Sequence, residues 1–542
     1  MNPRGSGLSA QLIIVLVACA FLFFFGLGAF GLVGADEPRY AQIAREMLAR
    51  HDWIVPTLNG KPWLEKPVLL YWKAMNSYAI FGVHDWAARV PAAFHATAMA
   101  FAIFFFMRRF RPGSELDAAI ISASCAAVIA FGRGASTDML LSAPLCMALL
   151  AWWTWHETDK KLWLAVFYGM LAIGTLAKGP VSPALAVLIV GSYALARREP
   201  KILLRSIWLP GLLLYFAIAL PWFVAVQIKV PQFFREFFLQ HNLERFGTNK
   251  YQHSQPFWYY LPVFLMATVP WTIFIISAIV NAIREGIKRI REKSTGTNAD
   301  WLPVFLVVWA LIPVLFFSIS RSKLPGYILP GIPAAALLAA DWLHRQDRVV
   351  SRAMLVPHAI ICGLLVGGAL LAPWRMLKTN PPPAMLAGMG IAAVVVALLV
   401  LFIVRRGGLR TLYLATLLPI VLALGFLLKP AAHVLDQVNS ARAVDVRLTE
   451  LHVPNVPIAV FYVKRDIQFG LNFYRNAEVT RYERDGGSGQ VVIVAPPGEH
   501  LLIARDGEGD AIRALLGSQR KVQEIGRFTP QHLEFFLVSN AR

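Results

Sequence analysis

The feature that most restricts this chain is a succession of about thirteen apolar runs, most of them near bilayer-crossing length. A helix needs about 20 mostly apolar residues to cross a hydrocarbon core of about 30 Å. Inside that core every backbone N–H and C=O must be bonded within the segment, so such runs are helical. They centre near Phe23, Thr97, Ala123, Leu145, Leu171, Ala186, Leu214, Pro270, Val308, Ala334, Cys362, Val394 and Leu418. The pair on either side of Lys178 is short. The first run, residues 8–33 behind Arg4, is longer than a signal-peptide core of about 7–15 residues and has no small-x-small cleavage site after it. It reads as an uncleaved span of an all-α polytopic membrane protein.

Charge placement gives the orientation. Only 15% of residues are charged, against roughly 25% in soluble proteins. The net charge of +20 recurs in short clusters rather than in one basic domain, which excludes nucleic acid as the partner it would otherwise suggest. Alternate loops hold Arg108-Arg109-Phe110-Arg111, Lys160-Lys161, Arg197-Arg198, Lys288-Arg289, Arg345 with Arg348, and Arg405-Arg406. The positive-inside rule puts these and the N-terminus in the cytoplasm. The other loops face outward, away from the cytoplasm, and an odd number of spans leaves the C-terminus there too. Cys19, Cys125, Cys146 and Cys362 all fall in apolar runs without metal or redox spacing, so they read as core residues.

After Pro430 the hydropathy drops. Runs at residues 458–463, 491–494 and 533–538 read as strands and residues 510–516 as a helix, which predicts a small soluble α/β domain over residues 431–542 beside a membrane domain over residues 1–430.

The outer loops carry the candidate chemistry. The loop of residues 34–85 opens Asp36-Glu37-Pro38-Arg39-Tyr40. Acids before a first-turn proline begin a helix, and Tyr40, Ile43, Ala44 and Met47 recur at helical spacing, which predicts an amphipathic helix on the membrane surface. Asp36 and Glu37 fit a helix cap as well as a carboxylate held at the membrane face. The helix N-terminus keeps such an acid ionised, which suits a base, a cation ligand or an acceptor-positioning group. Pro62 and Pro67 disfavour helix before them, so Glu65-Lys66 lies on an extended piece among interfacial aromatics. Lys66 fits either a snorkelling lysine or a point charge for a phosphate.

Asp138 stands at the outer mouth of a span, as a cap or as a functional acid. Lys178-Gly179-Pro180 is a turn or an anion contact at the same level. The loop of residues 229–257 interleaves Phe233, Phe234, Phe237 and Phe238 with Arg235 and Glu236, then carries His241 and His253. This predicts a second interfacial helix and, with nearby acids, a zinc possibility without tight ligand spacing. Arg321 and Lys323 break the positive-inside trend, and Tyr327 can donate to a phosphate.

Asp36-Glu37-Pro38-Arg39-Tyr40 after the first span, Glu65-Lys66-Pro67 followed by Tyr71-Trp72, Thr137-Asp138 and Lys323-Leu324-Pro325-Gly326-Tyr327 together resemble the GT-C membrane glycosyltransferases. Within that class the pattern is similar to the bacterial transferases of 4-amino-4-deoxy-L-arabinose that modify lipid A. The first-loop motif is shared with protein mannosyltransferase relatives.

The resemblance implies a monomeric enzyme that moves the sugar from undecaprenyl phosphate to a lipid A phosphate, lowering envelope negative charge and so conferring polymyxin resistance. Lys66 would hold the donor phosphate, with Arg39, Arg321, Lys323 and Tyr327 as lesser candidates and Glu37, Tyr40 and Lys178 among the substrate contacts. Asp36 and Asp138 would position the acceptor or the sugar amine. Glu65 with His253 or His241 would hold a divalent ion, if one is needed. No nucleotide-binding glycine loop is evident. A transporter would place polar groups near the bilayer midplane, whereas here they gather at one interface. Another polyprenyl-phosphate-sugar transferase, such as a protein O-mannosyltransferase, is the nearer alternative.

Overall fold

The computed structural model describes residues 4–237, 255–292, 297–346, 351–408, 411–453, 456–485 and 491–540. Among these, nine helices are long and apolar enough to cross a membrane, or up to twelve if each of three bent pairs is one span. The nine include Asp85–Phe110, Thr137–Thr158, Lys161–Lys178, Leu209–Lys229 and Asn298–Ile319. Helical segments occur at the sequence-expected centres except Pro270, which lies in a turn between two helices, and a count of thirteen spans is not reached. Val181–Ala196 has sixteen residues, short for a perpendicular crossing. The run centred on Pro270 turns through 120° between Ala267 and Thr272, so its two halves follow different directions.

Local chemistry explains the starts and stops that matter for the outer face. Ser136 precedes the helix Thr137–Thr158 in extended backbone, and its side chain accepts the Asp138 N–H at 3.4 Å. Lys161–Lys178 stops at Gly179, whose φ of +76° suits a residue without a Cβ. Asp36–Ala49 forms a helix with both acids in its first turn, and Glu37 Oε2 reaches back to accept the Val33 N–H at 2.9 Å. Thr57–Leu58 and Lys61–Pro62 then make a short hairpin, and residues 63–68 stay non-helical up to Leu69–Phe81. Glu65 and Lys66 are thus outside any helix, as Pro62 and Pro67 require, but they lie in a bend rather than on an extended piece.

The surface helix Asp36–Ala49 departs from a plain amphipathic pattern. Arg39 and Gln42, on its polar side, are buried along with Tyr40, Ile43, Ala44 and Met47. The reason lies far along the chain: the helix Arg465–Arg475 covers that side, with Arg45 donating to the Phe473 carbonyl at 2.9 Å.

The C-terminal residues form a five-stranded sheet in the order Val479–Arg481, Ile458–Phe461, His500–Arg505, Leu533–Asn540, Arg520–Phe528. The first three strands run parallel and the last two join antiparallel. The sequence expectation found the strands at residues 458 and 533 and the helix Gly509–Leu516; Val491–Ile493 instead pairs with Glu483–Asp485 outside the main sheet. The domain is anchored to the first loop. Asp436 accepts the Gly31 N–H at 2.7 Å, Tyr474 accepts the Leu32 N–H at 2.8 Å, and Arg442 bridges Asp85 at 2.9 Å and Asp436 at 3.0 Å. A Cβ on Gly31 would stand 2.2 Å from Ser440 Oγ, so only glycine admits this approach.

Candidate active site

The first-loop helix and the bend after the hairpin build a row of alternating charges. Arg39 Nη2 donates to Asp36 Oδ1 at 2.5 Å and lies 3.2 Å from Glu65 Oε2, and Lys66 Nζ lies 3.8 Å from Glu65 Oε1. Three members of the row are sheltered, while the Asp36 side chain keeps 60% of its surface exposed. Asp36 is therefore the carboxylate of this row that a solute can reach. Burial by itself lowers the Arg39 pKa, but the Glu65 and Asp36 carboxylates outweigh it and hold the guanidinium protonated. Burial, then the charges of Asp36 and Glu65, push the Tyr40 phenol well above its ordinary value, so it stays neutral. Arg39 Nε, Trp63 Nε1 and Tyr71 Oη are buried and find no hydrogen-bond partner among the described residues. Buried polar atoms of this kind are uncommon and cluster where a ligand or water completes them.

Glu37 has another part. Arg89 donates to it twice, from Nε at 3.1 Å and Nη2 at 2.7 Å. The same guanidinium donates to the carbonyls of Leu27, Phe30 and Gly31. Glu37 Oε1 also accepts the Ala135 N–H at 2.7 Å. With both oxygens so occupied, Glu37 is a fastener rather than an open substrate contact. It links the surface helix to the segment entering Thr137–Thr158, three residues before Asp138. Sequence reasoning missed Arg89, although a lone arginine beginning an apolar run demands a partner.

Asp138 heads the second cluster. Lys178 Nζ donates to Asp138 Oδ1 at 2.5 Å and sits 5.0 Å from the centre of the Tyr327 ring. Gly326 packs so closely that a Cβ there would fall 2.6 Å from Asp138 Oδ1. Asp138, Lys178 and Tyr327, expected separately from three loops, are thus brought together, and Gly326 is a member that sequence reasoning left unassigned. Lys323 is buried, with Nζ donating to the Ser320 carbonyl at 2.5 Å, and burial lowers its pKa. Arg321 is exposed and forms no ion pair among the described residues. His241 and His253 lie outside the described residues. Among the described residues no group of three or more His, Cys, Asp or Glu side chains is placed to hold a metal, and Glu65 is already set between two cations.

An apolar groove of about 430 Å³ is lined by Thr175, Pro180, Phe216, Leu220, Phe223 and Ile228 among others; Thr175 and Pro180 flank Lys178 in the chain. Thr175 Oγ1 and Tyr215 Oη lie 3.0 Å apart in its wall.

Comparison with known proteins agrees with this architecture. Residues 65–224 match the family described as dolichyl-phosphate-mannose-protein mannosyltransferase. An undecaprenyl phosphate-α-4-amino-4-deoxy-L-arabinose arabinosyl transferase of Aeromonas hydrophila subsp. hydrophila is 31% identical over 422 residues, 75% of this chain and 74% of the relative. The relative of the same description from Edwardsiella ictaluri is 31% identical over 353 residues, 62% of this chain, and the match spans only 61% of that protein's length. The crystal structure of ArnT from Cupriavidus metallidurans bound to undecaprenyl phosphate superposes with a TM-score of 0.76 at 22% identity, covering 98% of each chain. That likeness establishes the fold, and the Aeromonas match establishes the kinship: this multi-pass membrane chain belongs to the family of undecaprenyl phosphate-aminoarabinose arabinosyl transferases.

Proposed function

We propose that the protein transfers 4-amino-4-deoxy-L-arabinose from undecaprenyl phosphate to a phosphate of lipid A, on the periplasmic face of the bacterial inner membrane. The observation that carries this reading is the presence of two charge clusters together with an apolar groove whose lining residues Thr175 and Pro180 flank Lys178 in the chain. A polyprenyl phosphate has that form: one anionic head on a long hydrocarbon. The arabinosyl transferase relatives supply the sugar. Residues 1–430 carry the transfer, residues 431–542 wall the site from the periplasm, and the working unit is a monomer.

In this reading the prenyl chain lies in the groove and its phosphate meets Lys66 and Lys178. The acceptor phosphate oxygen attacks the anomeric carbon of the sugar. The bond from that carbon to the donor phosphate oxygen breaks, and undecaprenyl phosphate leaves as an anion. The lysines stabilise the charge that builds on it, which they do better for the leaving group than for the donor. A phosphate monoester is already mostly ionised near neutral pH, so no base need remove a proton. Asp36 then acts by orienting the acceptor or the sugar amine, and Asp138 holds Lys178. The added amine lowers envelope negative charge, from which polymyxin resistance follows. Arg321, Lys323 and Tyr327 line the approach as secondary contacts, and Glu65 would hold zinc only if His241 or His253 turned it from its cations.

The match of residues 65–224 to protein mannosyltransferases favours one second reading, transfer to a protein hydroxyl. That acceptor would require a base, with Asp36 in the role. The test is a reconstituted reaction with undecaprenyl-phospho-aminoarabinose and lipid A, read by mass spectrometry with and without a chelator. Addition of the aminoarabinose mass supports the reading. No addition by folded protein removes the lipid A assignment, and loss with the chelator restores a metal.

A further inference from the structure

We infer that the C-terminal domain is a working part of the donor site, through Phe469, which acts as a positioning residue for Arg39. The inference rests on the reading that the row ending in Lys66 receives the donor phosphate.

Phe469 lies on the helix Arg465–Arg475, more than four hundred residues along the chain from Arg39. The Arg39 guanidinium carbon stands 5.0 Å from the centre of the Trp63 ring, 5.2 Å from Tyr40 and 5.5 Å from Phe469. All three fall within the roughly 6 Å over which an aromatic face attracts a cation. Trp63 and Phe469 meet edge to face at 6.5 Å, so the two rings brace one another. Two of the three rings come from the first loop and the third only from the C-terminal domain.

The approach of that helix is built, not incidental. Phe469, Asn472, Phe473 and Asn476 recur at helical spacing and all face the first loop. Asn472 donates to Asn59 at 2.7 Å, the Phe473 carbonyl accepts from Arg45 at 2.9 Å, and Phe473 is buried in the core of the membrane domain. Gly470, next to Phe469, lies so close to Ala441 that a Cβ there would stand 2.3 Å from the alanine methyl. The ring is therefore held from behind.

Its influence runs along measured contacts. Arg39 reaches Glu65 at 3.2 Å, and Glu65 reaches Lys66 at 3.8 Å. A guanidinium free to swing would release Glu65 to draw Lys66 away from an incoming phosphate. The Trp63 and Phe469 rings hold the guanidinium without competing for its N–H groups, which a polar neighbour would do.

The experiment uses the full chain in lipid nanodiscs, with undecaprenyl phosphate as the binding probe and sugar transfer to lipid A read separately. Phe469→Leu keeps the bulk and removes the ring, and Phe469→Tyr restores it. The expected result is about 3–10-fold weaker undecaprenyl phosphate binding for Phe469→Leu, near wild-type binding for Phe469→Tyr, and an unchanged melting temperature for both. In an Arg39→Lys background the Phe469→Leu effect should shrink. Should Phe469→Leu fail to fold, Phe469→Met fills similar space without a ring and gives the same reading. Wild-type affinity in Phe469→Leu, an equal loss in Phe469→Tyr, or full additivity with Arg39→Lys would each overturn the inference. Wild type that binds undecaprenyl phosphate yet transfers no sugar to lipid A would overturn the proposed function and leave this inference standing; wild type that binds no undecaprenyl phosphate would overturn both.

Discussion

Asp36 and Glu37 are neighbours on one helical turn, yet they belong to two unlike regions. On one side, Glu37 and Arg89 form a buried knot in which both Glu37 oxygens accept hydrogen bonds and two of them come from the same guanidinium. On the other, Asp36 stands at the open end of a row whose remaining members are sheltered. The knot has its donors and acceptors matched within the protein. The row has an exposed carboxylate at one end, a lysine at the other, and beside it buried polar atoms that find no partner among the described residues. A saturated cluster resists change, whereas an unsaturated one has capacity left for a ligand.

The contrast can be broken by mutation. The largest effect is expected for Glu37→Ala, which leaves a buried guanidinium without its carboxylate at a cost of about 3–5 kcal/mol. Thermal melting and yield of folded protein should both fall. A Glu37→Ala protein that melted like wild type and lost only activity would move Glu37 into the row. Next comes Lys66→Ala, expected to lower the transfer rate by about 10²–10³-fold, as removing one preorganised charge contact does, with melting unchanged. If Lys66→Ala unfolded the protein instead, the row would be a second knot.

Gly326→Ala sharpens the link to the second cluster. The new methyl must displace Asp138, and misplacement by about 1 Å can cost up to about 100-fold; a loss of roughly tenfold with modest change in melting is expected. Unaltered activity would show that the Asp138 position is not critical. The smallest effect concerns Lys323, whose pKa burial lowers. Below the lowered folded value both states are protonated, and the cost of burying the charge is present in full. Between that value and the unfolded lysine value of about 10.4 the folded state sheds its proton, so stability rises with pH. Lys323→Met should therefore melt above wild type near neutral pH, with the gap closing as pH rises. A gap that stayed constant would mean that the ammonium is well solvated.

Much was legible before any coordinates. The span positions followed from apolar run length, and the non-helical setting of Glu65-Lys66 followed from Pro62 and Pro67. Local chemistry sufficed there because bilayer thickness and proline sterics act on short stretches of chain. The charge partners were not legible. Nothing near Glu37 announces Arg89, and nothing near Asp138 announces Gly326, because each pairing closes a long loop. The polar side of the surface helix pointed to water in the sequence pattern and is covered in the structure by the helix Arg465–Arg475.

By itself, then, the sequence determined that this is a multi-pass membrane protein with a small α/β domain at its C-terminal end, and which loops concentrate acids and cations. Those properties depend on hydropathy, periodicity and turn chemistry, each set by residues close together in the chain. Only the tertiary structure decided that Glu37 fastens while Asp36 stays open, that Lys178 pairs with Asp138, and that Phe469 reaches Arg39. An ion pair or a ring contact depends on side chains within about 4–6 Å of one another, and packing brings them there across hundreds of residues that carry no local mark of the meeting.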